Sequence, residues 1–219
     1  MAFSGFPADA LTFYQELEAQ NSRAFWLDNK ERFAEVVRRP MVELCEELSE
    51  YGTFHLFRPY NDQRFAKNRP PYKTHQGAYT ESQGGAGFYV QLSANGLMCG
   101  TGYYGMAKDQ LVRFRTAVDA PASGDEIAAI VAGLGKRYTI GAMSELKTAP
   151  RGYPKDHRHI ELLRRKGLMM SKDFGVNGWL ETRQVAKRVR GVWADAAEMN
   201  KWLDANVGPS EEAPEDLFG

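Results

Sequence analysis

Between Arg58 and His75 the chain reads RPYNDQRFAKNRPPYKTH. These eighteen residues hold five cations (Arg58, Arg64, Lys67, Arg69 and Lys73), one carboxylate (Asp62), one histidine (His75), two tyrosines and three prolines. Like charges held this close repel one another, so the stretch needs carboxylates from elsewhere in the fold or a bound anion. Arginine suits bidentate contact with a carboxylate or phosphate, and lysine acts as a compact point charge. Tyr72 adds a hydroxyl that can donate to an oxyanion or a ring that can stack on a base. The prolines stiffen the loop, and a preorganised loop loses less entropy on binding. The chemistry indicated is recognition of a phosphate- or carboxylate-bearing ligand by Arg58, Arg64, Lys67, Tyr72 and Lys73. The competing reading is a set of internal salt bridges under a solvated loop.

A second constellation follows at residues 150–159, PRGYPKDHRH, with Arg151, Lys155, Asp156, His157 and His159. Arg151 and Asp156 extend the list of ligand-binding candidates. Histidine titrates near neutrality, which makes His157 an acid–base candidate beside Asp62 and His75. His157 and His159 are two apart, a spacing that diverges by about 200° on a helix and shares a face only on extended backbone. A metal there would need a third ligand from His75, Asp62 or Glu161, and no metal site is assigned. The plainer alternative has Asp156 capping a helix with His157 as a local hydrogen-bond partner. The sequence lacks a G-x-S-x-G elbow, a P-loop, an H-E-x-x-H pair and a C-x-x-C pair. The glycines at 84, 85 and 87 precede a strand pattern rather than a helix, which excludes a phosphate loop.

The bulk composition narrows the classes. Lysine plus arginine and aspartate plus glutamate both number 28, and the resulting net charge of zero argues against a general nucleic-acid binder. The charge is uneven: residues 51–75 carry five bases and one acid, residues 136–190 carry fourteen and five, and the chain from Gly191 carries one and seven. Two basic blocks are thus balanced by acidic ends, and folded together they would focus anions on one face. Cys45 and Cys99 sit in apolar surroundings and read as buried free thiols. No basic and apolar leader opens the chain, and no eighteen-residue apolar run occurs, so the expectation is a soluble, cytoplasmic protein with no membrane partner.

The elements that must position these residues read as α+β. Leu11, Tyr14 and Leu17 mark a first helix, with Asp9 as its cap or first-turn acid. Phe25, Trp26, Phe33, Val37, Met41, Leu44 and Leu48 continue a helical stripe that Pro40 should kink or break and Gly52 should end. GTFHLFRPY alternates as a strand. Asn95-Gly96 between two runs of β-formers predicts a hairpin with strands near 87–93 and 97–104. Helices follow over KDQLVRFRTAV and over SGDEIAAIVAGLG, the latter with Ser123 as N-cap and Glu126 at capping-box spacing. A short helix after Asp156 and a strand over LMMSKDFG lead to one long C-terminal helix. Leu180, Val185, Val189, Val192, Trp193, Ala196 and Leu203 should line its buried face. The expected architecture is a single α+β domain over residues 1–207, an antiparallel sheet with a central hairpin packed on N-terminal helices and a long C-terminal helix. An acidic, loose tail should follow over 208–219.

The stretches FSGF, QNSRAFWLDNKERF, RPYNDQRFAKNRPPYKTH, GGAGFYVQLSANGLMCGTGYY and PRGYPKDHRHIELLRRKGL occur in this order. Together they resemble the domain-of-unknown-function family 2461, a conserved hypothetical family of bacteria and fungi, over about residues 3–205. The most diagnostic element matches at Arg64, Phe65, Lys67, Pro71, Tyr72 and Lys73. The family pattern places an aspartate before a lysine in this loop, where this chain has Asn68-Arg69, and it commonly has proline after Asp156-His157, where this chain has Arg158. The resemblance brings no activity, cofactor or substrate. It implies that the two basic motifs belong to one pattern and meet in space.

The functional expectation is therefore a basic cleft for an anionic small molecule or a nucleic-acid end, with hydrolysis or transfer as the simplest chemistry. The alternative from another class is a non-catalytic interaction module whose basic face meets nucleic acid or an acidic partner, such as the tail of another copy. The sequence selects neither a cofactor nor an oligomeric state.

Overall fold

The computed structural model of the chain describes residues 2–62 and 69–211. Helix α1 (Ala8–Ala19) follows Pro7 and buries Ala10, Phe13, Tyr14 and Leu17. Its buried stripe is thus centred on Phe13 rather than on Leu11. Helix α2 (Arg23–Phe33) is capped by Ser22, whose hydroxyl accepts from the Phe25 N–H at 3.2 Å. A π-helical turn (Ala34–Arg38) then leads into α3 (Arg39–Glu47), which holds Pro40 in its first turn. The helix runs on through Pro40, which lacks the N–H for the ladder, and the wider turn before it absorbs the misfit. The chain bends into a 3-10 turn (Ser49–Tyr51) and leaves it at Gly52 with φ +135°.

Six strands form one antiparallel sheet: β1 (His55–Leu56), β2 (His75–Glu81), β3 (Gly87–Ser93), β4 (Gly96–Tyr103), β5 (Thr139–Gly141) and β6 (Leu168–Gly175), in the order β1-β2-β3-β4-β6-β5. The Asn95-Gly96 turn joins β3 to β4, and Gly96 has φ +99° with the Gly175 carbonyl so close that a Cβ would lie 2.0 Å from it. Only glycine fits that corner.

Helix α4 (Lys108–Asp119) precedes α5 (Pro121–Leu134), and α6 (Ile160–Leu163) is a single turn. Here three local expectations are corrected. Pro121 takes the first helical position of α5, where its fixed φ is favourable, so the helix starts before Ser123. The Ser123 hydroxyl instead accepts from the Trp202 indole N–H at 3.1 Å. Asp156 caps nothing, because α6 begins only at Ile160 after His159. The long C-terminal helix is a 3-10 turn (Gly178–Glu181), α7 (Gln184–Asp195) and α8 (Ala197–Asn206), interrupted at Ala196. Its predicted apolar face is nevertheless buried throughout.

The chain divides into two compact units. The first comprises residues 1–80, 89–99 and 173–191, and the second residues 81–88, 100–172 and 192–219. The first unit buries Phe3, Phe6, Phe13, Tyr14, Leu17, Met41 and Leu44 completely or nearly so. Arg32 closes α1 onto α2 there, reaching Asp9 at 2.5 Å and Glu16 at 2.5 Å. The second unit centres on Phe114, Leu163, Met170, Trp193 and Trp202. Two of its buried polar groups donate inward: the Trp193 indole N–H to the Gly100 carbonyl at 3.0 Å, and the Asn200 amide to Thr101 Oγ1 at 2.8 Å. Residues 208–211 are held to α4, with Ser210 and the Glu211 N–H donating to Asp109 at 2.8 and 2.9 Å. The remainder of the expected tail, 212–219, lies outside the described residues.

Candidate anion site

Strands β1 and β2 pair as His55↔Tyr79 and Leu56↔Ala78, and the Phe57 N–H still donates to the Gly77 carbonyl at 2.9 Å. Further along the same ribbon the pairing resumes as Tyr60↔Tyr72. Between these points one strand supplies only residues 58–59, while the other supplies residues 73–76. Such an excess makes a bulge, a device that re-aims side chains. Lys73 and His75 sit on it. Pro59 has no N–H to offer the ladder, and its carbonyl accepts from the Lys73 N–H at 2.7 Å. The buried Gln76 amide fills the bulge, donating to the Phe57 and Gly77 carbonyls at 2.9 and 2.8 Å.

The bulge carries two neighbouring cations. The Lys73 ammonium lies 5.3 Å from the centre of the Phe57 ring. Burial and then the neighbouring Arg58 lower its pKa from the usual lysine range. Among the described residues no carboxylate stands within ion-pair reach of Lys73 or Arg58. His75 is half-buried, and burial followed by Lys73 lowers its pKa below the usual 6.5, which keeps the imidazole neutral at neutral pH and able to accept a proton.

An aromatic wall stands beside the bulge. Trp26 from α2 stacks on Tyr72 with centroids 4.5 Å apart and planes at 12°. Tyr60 packs against both, 5.5 Å from Tyr72 and 5.9 Å from Trp26. Tyr72 is buried, which raises its hydroxyl pKa, with Tyr60 adding to the effect and Arg23 opposing it. Asn21 fixes the Tyr72 backbone from both sides, accepting from its N–H at 3.1 Å and donating to its carbonyl at 2.9 Å. Asn61 closes the turn by donating to the Pro70 carbonyl at 2.8 Å.

Of the residues singled out from sequence, Arg58, Tyr72, Lys73 and His75 come together here, and Asp62 precedes the break in the described chain. Arg64 and Lys67 lie outside the described residues. Sequence reasoning missed Asn21, Trp26, Phe57 and Tyr60 as parts of this site. The Tyr60–Tyr72 pair had a signal in the ribbon pattern, whereas nothing local links Tyr72 to Trp26.

Residues 150–159 belong to the second unit. Arg151 and Asp156 are exposed. His157 and His159 are pinned to the corner between α4 and α5. His157 Nε2 meets Asp119 at 3.2 Å, and His159 Nε2 meets Asp125 at 2.8 Å, with Arg158 on the other oxygen of Asp125 at 3.2 Å. The His159 backbone N–H donates to His157 Nδ1 at 3.0 Å, so the His157 ring proton sits on Nε2 toward Asp119. Both ring nitrogens are thereby engaged. Gly124 admits this loop: a Cβ there would lie 3.0 Å from the His159 ring and 2.1 Å from the Val118 carbonyl oxygen.

Among the described residues no group of three or more histidines, cysteines or carboxylates is arranged to hold a metal. Burial pushes the Cys45 and Cys99 thiols up to about 12, which keeps them protonated and inert. A cavity of about 470 Å³ in the first unit is lined by Ser4, Phe6, Glu35, Arg39, Glu43 and Glu181 among others, and Glu35 there is paired with Arg39 at 2.7 Å. No described helix is long and apolar enough to cross a membrane.

The family model for the conserved hypothetical protein family DUF2461 matches residues 9–202, and the chain belongs to that family. No curated protein and no solved structure matches it.

Proposed function

For this member of the DUF2461 family, we propose that the bulge of the first unit binds a small anionic ligand bearing a phosphate or carboxylate. The observation that carries the reading is that half-buried Lys73 and exposed Arg58 lie side by side with no carboxylate in ion-pair reach among the described residues. A charge partly withdrawn from water, as that of Lys73 is, is normally paired, because desolvation without a partner is costly. Here the charged neighbour of Lys73 is another cation. The adjoining residues 63–68, QRFAKN, contain two more cations and no acid in sequence. A bound anion supplies the missing counter-charge, with Lys73 as point charge and Arg58 as fork. The neutral imidazole of His75 beside Lys73 is the group that would accept a proton if the ligand is also turned over by hydrolysis or transfer.

Thermal melting of the full chain with inorganic phosphate, sugar phosphates and dicarboxylates tests the reading. A ligand at a hundred times its Kd adds about 2.7 kcal/mol to the folded state. The expected result is such a shift in the native chain, its loss in Lys73→Ala, and an unliganded melting temperature nearly unchanged by that substitution. A shift that survives Lys73→Ala, or no shift with any of these anions, sinks the proposal.

A further inference from the structure

Tyr60 is the feature of this site that anion binding alone does not use. Its side chain is 50% exposed although its ring is held against Tyr72 and Trp26. A large aromatic ring left half in water forgoes part of its burial free energy, and a fixed one offers a ready flat surface. The fixing is extensive. Tyr72, against which Tyr60 rests, is locked by Asn21 on both backbone groups and by the stacked Trp26. Tyr60 stands two residues after Arg58, with the bend at Pro59 between them, and both are exposed. Across the ribbon its partner is Tyr72, the neighbour of Lys73. A fixed flat surface thus belongs to the same ribbon as the cations, across from the neighbour of Lys73 and two residues from Arg58.

We infer that the ligand is a nucleotide, its base stacked on Tyr60 and its phosphate held by Arg58 and Lys73. The inference rests on the anion-binding reading above and adds the ring. Stacking on an aromatic side chain tolerates any base, so the site selects for a nucleobase as such. The same base-and-phosphate chemistry is offered by a free mononucleotide and by the 5′-phosphorylated end of a strand.

Calorimetric titration of the full chain with four probes tests this: adenosine 5′-monophosphate, ribose 5-phosphate, adenosine, and a short 5′-phosphorylated oligonucleotide. The expected result is that the mononucleotide binds about tenfold or more tightly than ribose 5-phosphate, as base stacking on an aromatic ring provides. Adenosine, lacking the anion, should bind more weakly than either. Tyr60→Ala should reduce the mononucleotide to the affinity of ribose 5-phosphate while leaving the latter's binding unchanged. Tyr60→Phe, which keeps the flat ring and the fold, should retain the preference. Oligonucleotide binding many-fold tighter than the mononucleotide, with a steep salt dependence, would support the inference and assign the site to a strand end. Equal affinities would support it with a free nucleotide as the ligand. If ribose 5-phosphate and the mononucleotide bind equally well in the native chain, the nucleotide inference is overturned and the anion site stands. If none of the anions binds, both fall together.

Discussion

Asn21 and Tyr72 exchange a pair of hydrogen bonds, the asparagine accepting from the tyrosine N–H at 3.1 Å and donating to its carbonyl at 2.9 Å. The pair joins the start of α2 to the loop that carries Lys73. Replacing Asn21 by leucine leaves two backbone groups unpaired in a partly buried place, which costs about 1–3 kcal/mol. We expect urea unfolding of Asn21→Leu to show that loss. Asn21→Asp, which keeps the acceptor and loses the donor, should lie between it and the native chain.

Lys73 should behave as a residue that the fold tolerates rather than needs. Its pKa is lowered, so between that lowered value and the usual 10.5 the unfolded chain binds more protons than the folded one. Stability attributable to this group therefore rises as pH climbs toward 10.5. Lys73→Met should be no less stable than the native chain at pH 7, within about 0.5 kcal/mol or better. Whatever advantage it has should shrink by pH 10. A loss of several degrees in melting temperature at pH 7 would mean that Lys73 makes a structural ion pair.

His75 carries the same sign on the acid side. Its folded pKa lies below 6.5, so its contribution is intact above 6.5 and is lost as pH falls through the folded value. Unfolding free energy measured from pH 7.5 down to pH 5 should decline, and His75→Gln should flatten that slope. A bound phosphate next to Lys73 would raise the His75 pKa, so adding phosphate should move the titration of its ring protons to higher pH in NMR.

The strands were readable because their signals are local. The alternation through FYVQL and the Asn95-Gly96 turn fix which residues face which way, and LMMSKDFG emerged as β6 from residue 168 to 175. Helix ends were less legible where two signals competed. Ser123 with Glu126 satisfies a capping box on paper, but Pro121 sets φ two residues earlier and wins. Ala196 interrupts the C-terminal helix without any glycine or proline to announce it. The cations of the candidate site could be named from sequence because charge is a property of residue type. Their surroundings could not, since the stack of Trp26 on Tyr72 and the bulge at 73–76 arise from packing between distant segments.

The loop from Arg151 to His159 gives a case in which helix propensity and packing disagree. Gly124 lies inside α5, where alanine is favoured over glycine by about 1 kcal/mol on propensity alone. Packing forbids it: the added carbon would stand 2.1 Å from the Val118 carbonyl oxygen, which is backbone and cannot step aside. Gly124→Ala should therefore destabilise, by about 2 kcal/mol or more, against the propensity trend. His157→Ala removes the acceptor of the His159 N–H and the partner of Asp119, and should cost about 1–3 kcal/mol. Chemical denaturation of the two single variants and the double variant checks both values. Because Gly124 and His157 both act through His159, the double variant should lose less than the sum of the two. Strict additivity would show that the glycine contact and the histidine hydrogen bond hold the loop independently.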